Sequence, residues 1–351
     1  MHFKNSIKYL IPFLLISALL TGCGDGAYQD EGYTATTPPS TSPIPVPKFS
    51  FTSSDAVSAN ECEVLPGHTL STENTTGAVT YAITGGADAA RFTVDAATGA
   101  VSAADTDKTD FETKPTYTYD VSATSGGKTV TQMITVSIKY IHADINGDAY
   151  GCVPNNATGE VWLDRNLGAD IVCPDSTEPT CGGELYQWGR ETDGHQKRDS
   201  NTQFTRAGAI TGVGSNVIVK VNTNWTTVDA KGALREENWA RPGFVCPAPY
   251  RVPTIFELEA EAATWTSPNT AGAFASPLKL GATGRRNKNT TATYESPEKG
   301  YYRATTRDGI PSTSAYQHNV LFIDDVNNPN PSTGRSDDPN TYSMAIRCIK
   351  N

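Results

Sequence analysis

Histidine and methionine are scarce in this 351-residue chain, which has five of the first and three of the second, and basic residues are outnumbered by acidic ones, 28 to 38. Scarce histidine narrows the chemistry available. His2 falls in the N-terminal segment, and His68, His142, His195 and His318 are far apart without the spacing of a metal site. A deficit of positive charge speaks against nucleic acid as a partner, because phosphate binding needs a basic face. No apolar run of about 20 residues, the length needed to cross a bilayer, occurs after the N-terminus. GxSxG, HExxH, the phosphate-binding GxxxxGK[ST] loop, GxGxxG and CxxC are all missing. These gaps remove the familiar local signatures, although catalytic groups can also converge from distant positions.

What remains is a globular composition, with 37% hydrophobic and 19% charged residues, and a length sufficient for two or three domains. At the N-terminus Lys4 and Lys8 precede an apolar run from Tyr9 to Leu20, the pattern of a secretory signal. The following Leu20-Thr21-Gly22-Cys23 resembles the lipobox of bacterial lipoproteins. That resemblance implies cleavage after residue 22, lipidation of Cys23 and, with Gly24 next, delivery to the outer membrane. Several acyl chains on one residue make such an anchor stable. Residues 23–48 carry Pro38, Pro39, Pro43, Pro45 and Pro47 among serines and threonines, the composition of an extended stalk. At about 3.1 Å per residue this stalk reaches roughly 78 Å.

From residue 49 to 142 the pattern is period two, with apolar Val79, Tyr81, Ile83; Phe92, Val94; Tyr117, Tyr119, Val121, Ala123; and Val130, Ile134, Val136, Ile138. Turn residues separate these runs at Gly85-Gly86, Ala97-Thr98-Gly99 and Ser125-Gly126-Gly127, so the segment is expected to form a small antiparallel, all-β sandwich. The order of these residues, with Asp110-Phe111-Glu112 between them, resembles a cadherin-like repeat. In that family the acids matching Asp110 and Glu112 help to bind calcium, and Asp144-Ile145-Asn146-Gly147-Asp148 resembles the interdomain calcium loop. The resemblance therefore implies a Ca²⁺ site built from Asp110, Glu112, Asp144, Asn146 and Asp148, hard oxygen ligands suited to that ion. Two positions depart from the family: Gly147 and Ser125 stand where it has acids. Asp-x-Asn-Gly-Asp is equally the composition of a plain solvated turn.

Residues 143–351 contain Val161-Trp162-Leu163-Asp164-Arg165-Asn166-Leu167-Gly168-Ala169, Tyr186-Gln187-Trp188-Gly189-Arg190, Cys246-Pro247 leading to Tyr250-Arg251-Val252-Pro253-Thr254, and Arg347-Cys348-Ile349-Lys350-Asn351. This ordered series resembles the Fibrobacter succinogenes major paralogous domain. It implies an α+β, C-type-lectin-like fold with long loops, of the kind shared with formylglycine-generating enzymes. The residues themselves predict a helix from Thr254, with Glu257 at the capping-box position. Its buried face is Ile255, Leu258 and Ala262, with Glu257, Glu259 and Glu261 toward water. A central strand is expected at Val320–Ile323 and a last one over Tyr342–Cys348, buried on one face.

With Cys23 lipidated, six cysteines remain, and an oxidising compartment allows fifteen pairings. A loop-rich head gains most from a Cys246–Cys348 bridge, and we also expect a short-loop Cys173–Cys181 bridge and, from the two left over, Cys62–Cys152. Trp225 and Trp265 lie in polar Thr/Asn/Ser surroundings and are the candidate exposed rings for ligand binding, whereas Trp162 and Trp188 read as core. The acid pairs Asp324-Asp325 and Asp337-Asp338 read as solvated loop. The expected function is a noncatalytic lipoprotein presenting its head to an extracellular or periplasmic protein or glycan. The alternatives are an envelope enzyme with a pocket in the head, and a structural protein of envelope assembly.

Overall fold

The computed structural model describes residues 46–141, 143–145, 148–176, 178–213, 217–221, 224–230, 232–287, 293, 298–305, 317–324 and 333–351. The signal segment, Cys23 and nearly all of the expected stalk lie outside them, as do Asn146, Asp325 and the side chains of Asp144, Asp148 and Asp337. Pro47–Asn351 forms one compact unit. Among its described residues this unit is mostly β, with three short α-helices.

Alternation builds the first half of that unit. Strands Thr116–Ser125 and Lys128–Lys139 form a long antiparallel ladder in which Tyr117 pairs with Val136 and Tyr119 with Ile134. Since side chains alternate across a strand, these pairs share one face, and all four are buried. Thr80–Gly85 extends the ladder on one side and Ala56–Asn60 on the other. A second sheet, His68–Thr69, Ala100–Ala103 and Phe92–Val94, closes over it. Phe92 and Val101 from this sheet join Tyr119, Val121 and Ile134 in one core, which makes the segment a β-sandwich. Phe92 stacks on Tyr119 with ring centroids 4.1 Å apart. The expected all-antiparallel arrangement is corrected at one edge, where Ala56–Asn60 runs parallel to Lys128–Lys139. Such pairing needs a long crossover, and the whole sandwich between the two strands supplies it. Gly86 is demanded by close packing: at φ 103° a Cβ there would come within 2.4 Å of the Tyr119 Cα.

The head has little regular structure. Cys152–Asn155, Glu160–Leu163, Ile349–Lys350 and Tyr250–Arg251 form a four-stranded sheet in that order, so both ends of the head meet in one sheet. Gln317–Ile323 is the central strand of a second sheet, between Gly300–Arg303 and Thr333–Pro339. The helices are α1 (Ala233–Ala240), α2 (Ile255–Ala262) and α3 (Thr270–Ala275). Thr254 caps α2 in a full capping box with Glu257. Disulfides join Cys62 to Cys152, Cys173 to Cys181 and Cys246 to Cys348.

Three sequence expectations fail in the head for one reason, which is that its interior is polar. Glu261 is fully buried rather than solvated, accepting from Asn155 Nδ2 at 2.6 Å and Trp265 Nε1 at 3.3 Å. Burial pushes its carboxyl above the usual range. Over Tyr342–Cys348 no single strand with one wet face forms. Only Ser343–Met344 is strand there, and Ser343 to Ile349 are all buried. Asp338 and Asp324 are also nearly enclosed, Asp338 bonded to Arg285 at 2.7 Å and Asp324 lying 3.4 Å from Lys299 Nζ. In their place Arg190, Arg235, Arg286, Arg303 and Arg347 occupy the interior among Trp162, Trp188, Trp225 and Trp239.

Candidate functional site

Sandwich and head are joined by the Cys62–Cys152 disulfide, next to the end of the strand Ala56–Asn60. Past the strand Ala56–Asn60, the Glu61 amide donates to the Lys139 carbonyl and the Cys62 amide to the Thr109 carbonyl at 2.7 Å. Thr109 Oγ1 donates back to the Asn60 carbonyl at 3.0 Å. These bonds fix the segment Asp110–Glu112 beside Glu61. Asp110 holds its own turn, accepting from the Thr113 amide at 3.0 Å and Thr113 Oγ1 at 2.9 Å.

Glu61 is the perturbed group of the junction. It is 2% exposed; Oε1 accepts the Ile141 amide at 2.8 Å, and Oε2 is buried without a hydrogen-bonding partner. Burial, aided by the negative charges of Glu112 and Asp110, pushes its carboxyl up to about 7, with the Ile141 and Phe111 amides pulling the other way. Glu112 is raised by partial burial and by Asp110 and Asp164. Asp164 is raised by burial, offset by the neighbouring Arg165, whose Nη1 donates to both carboxylate oxygens at 3.0 and 2.8 Å. The junction is therefore an acidic centre short of counter-charge.

The structure brings two members of the expected calcium set, Asp110 and Glu112, to this centre. Among the described residues of the remaining segment, Ala143–Ile145 pairs antiparallel with Asp148–Tyr150. Among the described residues no three Asp, Glu, His or Cys side chains lie close enough to hold a metal ion. Glu61 was not foreseen. It carries no motif, and its only sequence signal is an acid next to a half-cystine at a strand end, which becomes informative once Cys62 and Thr109 are known to meet.

Beside this centre runs a cleft of about 790 Å³ between the two lobes. It is lined by the acids Asp110, Glu112 and Asp164, the bases Arg91, Lys108 and Lys114, and the apolar Val153, Pro154 and Val172. Domain junctions are preferred places for ligand clefts of this size. Lys279 lines the head wall and is exposed.

The aromatic candidates divide. Trp225 is buried, not exposed, which corrects the expectation from its polar neighbours: Asn224 and Thr226 are themselves buried with it. Its Nε1 donates to the Trp188 carbonyl at 2.7 Å, and Arg190 and Arg235 lie over its ring at 5.7 and 5.5 Å. Trp265 is half-buried, bonded through Nε1 to Glu261. His195 offers no free nitrogen to a substrate. Nδ1–H donates to Asp193 at 2.7 Å and Nε2 accepts the Gln187 amide at 3.1 Å, while burial pulls the ring down to about 4 and so keeps it neutral. No helix among the described residues is long and apolar enough to cross a membrane.

No family model and no curated protein matches the chain. Among solved structures, a fragment of human protocadherin-24 (EC1-2) is similar at 18% identity and TM-score 0.24, over 30% of this chain and 58% of that one. Extracellular cadherin domains 3–6 of protocadherin gamma B2 are similar at 25% identity and TM-score 0.23, over 31% and 24%. The third cadherin domain of human protocadherin 7 is similar at 18% identity and TM-score 0.22, over 28% and 93%. The chain thus spans less than two thirds of the first two structures. At these scores nothing about ligands or partners passes from them to this chain.

Proposed function

We propose that this chain is a noncatalytic, lipid-anchored outer-membrane protein in which a stalk and a cadherin-like sandwich present a C-type-lectin-like head to an extracellular or periplasmic protein or glycan. The observation that carries the binding role is the junction cleft, large enough for a ligand and lined in part by apolar side chains. Anchoring through Cys23 and delivery to the outer membrane rest on the lipobox residues Leu20 to Cys23. The likeness of the head to the Fibrobacter succinogenes major paralogous domain rests on its four ordered motifs.

Calcium belongs to this proposal as a junction ligand. Asp110 and Glu112 would hold it, with Asp144, Asn146 and Asp148, whose side chains lie outside the described residues, and the ion would supply positive charge beside Glu61. The buried, unpartnered Glu61 Oε2 is the observation in its favour. Titration calorimetry with Ca²⁺ tests this directly. Binding should appear in the native chain and weaken at least tenfold in Glu112→Gln; absence of any calcium heat removes the ion from the proposal.

The binding role is tested by probing protein and oligosaccharide arrays with the lipid-free mature chain. Val172→Asp, which puts a charge on the cleft lining, should lower any specific signal at least tenfold. A signal indifferent to it excludes the cleft as the site.

A further inference from the structure

An early strand of the sandwich and its last one lie side by side. Ala56–Asn60 pairs in parallel with Lys128–Lys139, from Ala56 opposite Thr135 to Asn60 opposite Lys139. The chain thus enters this ladder at one end and leaves it at the other. If the backbone alone joined sandwich to head, a pull between the two ends of the chain would slide these strands past each other and load the whole ladder at once. The sandwich would then stand in series with the head and give way in one step.

The Cys62–Cys152 disulfide takes the sandwich off that line. Cys62 lies two residues past Ala56–Asn60, and Cys152 is the first residue of the head strand Cys152–Asn155, so the bond runs from the entry strand straight into the head. The 90 positions it spans contain every other strand of the two sandwich sheets, Lys128–Lys139 included. Only the segment from Pro47 to Cys62 stays on the line. Phe49 is fixed in the sandwich core, Ser50–Phe51 pairs with Thr72–Glu73, and the Cys62 amide donates to the Thr109 carbonyl at 2.7 Å. The strand between is already extended, at about 3.3 Å per residue against a limit near 3.6 Å, so tension along it draws out little length.

On the far side the bond is received by a seated strand. Cys152–Asn155 pairs with Glu160–Leu163 over four positions, and the Leu163 amide donates to the carbonyl of Cys348, itself a half-cystine, at 3.0 Å. Beside the bond, the Lys108 amide donates to Asn156 Oδ1 at 2.9 Å and Asn156 Nδ2 donates back to the Lys108 carbonyl at 3.3 Å, which fastens the bypassed sandwich to the head.

We propose that this molecule is a tether built to hold under tension, with the Cys62–Cys152 bond carrying load from the stalk to the head around the sandwich. The inference rests on the anchored, partner-binding role proposed above, because only a chain held at both ends is pulled. The partner it suits is one fixed to a surface of its own.

Single lipid-free mature chains stretched in optical tweezers between handles at their two ends test this. The native chain should never release the length enclosed by the bond. Cys62→Ser with Cys152→Ser should add one step of about 300 Å, from 90 positions at about 3.3 to 3.6 Å each. A second measurement keeps the native cysteines: a protease site inserted after the exposed Gly127 is cut, and the cut chain should hold the same force as the uncut one. Release of the 300 Å step by the native chain, a serine variant that adds no step, or a cut chain that parts at lower force overturns the proposal. Binding on the arrays together with any of these results sinks the tether and leaves the binding role standing. No binding on the arrays removes the role on which tension depends, and the tether with it.

Discussion

The sandwich and the head satisfy their backbones by different means. In the sandwich the ladders do it: Thr116–Ser125 and Lys128–Lys139 stay paired over ten consecutive positions, from Thr116 with Ser137 to Ser125 with Lys128. Its core is then free to be apolar, from Phe49 to Ile138. In the head the strands are short and the loops long, so many buried carbonyls have no ladder partner. Buried guanidiniums take that place. Arg347 donates to Leu278 O at 2.7 Å, Leu163 O at 3.3 Å and Asn166 Oδ1 at 3.0 Å. Arg303 holds Pro339 O and Tyr342 O, and Arg286 holds Lys197 O and Ser200 O. A rigid fork with five donors can gather carbonyls from segments far apart in the chain. Burial lowers the pKa of Arg303 and Arg347 to about 10, which leaves both charged at neutral pH. A loop-rich domain can thus be held by point fasteners where a sandwich is held by seams.

The largest test of this contrast removes the longest fastener. Cys246→Ser with Cys348→Ser opens a 102-residue loop, and the head should lose about 4 to 5 kcal/mol. All five tryptophans lie between residues 162 and 265, so tryptophan fluorescence in urea follows the head alone. An unchanged midpoint would mean that the head does not depend on that closure.

A smaller loss, about 3 kcal/mol, is expected for Arg347→Met, because three acceptors are stranded in the interior. Arg347→Lys should recover little of it, since an ammonium cannot reach all three in the plane of a fork. Near-native stability of the lysine variant would show that charge matters there and geometry does not.

The smallest effect lies at the junction and has a pH signature. Glu61 has its carboxyl raised from 4.5 to about 7, so the folded state holds the proton more tightly than the unfolded state does. Stability from this group is therefore fully present below about pH 4.5 and is lost as pH rises to about 7. Glu61→Gln should flatten that slope and, in chelator at pH 8, stabilise the chain by about 1 to 3 kcal/mol. A thermal midpoint with the same pH slope in native and variant chains would remove Glu61 as its source.

The two regions were also unequally legible. Strand faces in the sandwich follow from alternation because one side of each strand is buried by the opposite sheet, as at Tyr117, Tyr119 and Val121. The start of α2 was legible for an equally local reason, the spacing of Thr254 and Glu257. In the head the same rules mislead. Polar residues around Trp225 suggested exposure, yet Asn224 is buried because Arg235 Nη1 and Asn340 Nδ2 both bond its Oδ1, from 11 and 116 positions away. Glu261 looked solvated on a helical wheel because its partner Asn155 is 106 residues distant. Of the candidate site, Asp110 and Glu112 came from a family resemblance carried by Asp110-Phe111-Glu112. Glu61 and the cleft walls did not, since neither exists until Cys62 meets Thr109 and Asn156 meets Lys108.

By itself, the sequence determined what short-range physics can determine. Period-two alternation set the sandwich strands, and side-chain capping set the start of α2. Only the tertiary structure decided which polar residues are interior. It buried five arginines and Glu261, paired Ala56–Asn60 in parallel with Lys128–Lys139, and left Glu61 Oε2 buried without a hydrogen-bonding partner. The reason is that a buried polar group is stable only with its partner in place, and here the partners come from distant parts of the chain.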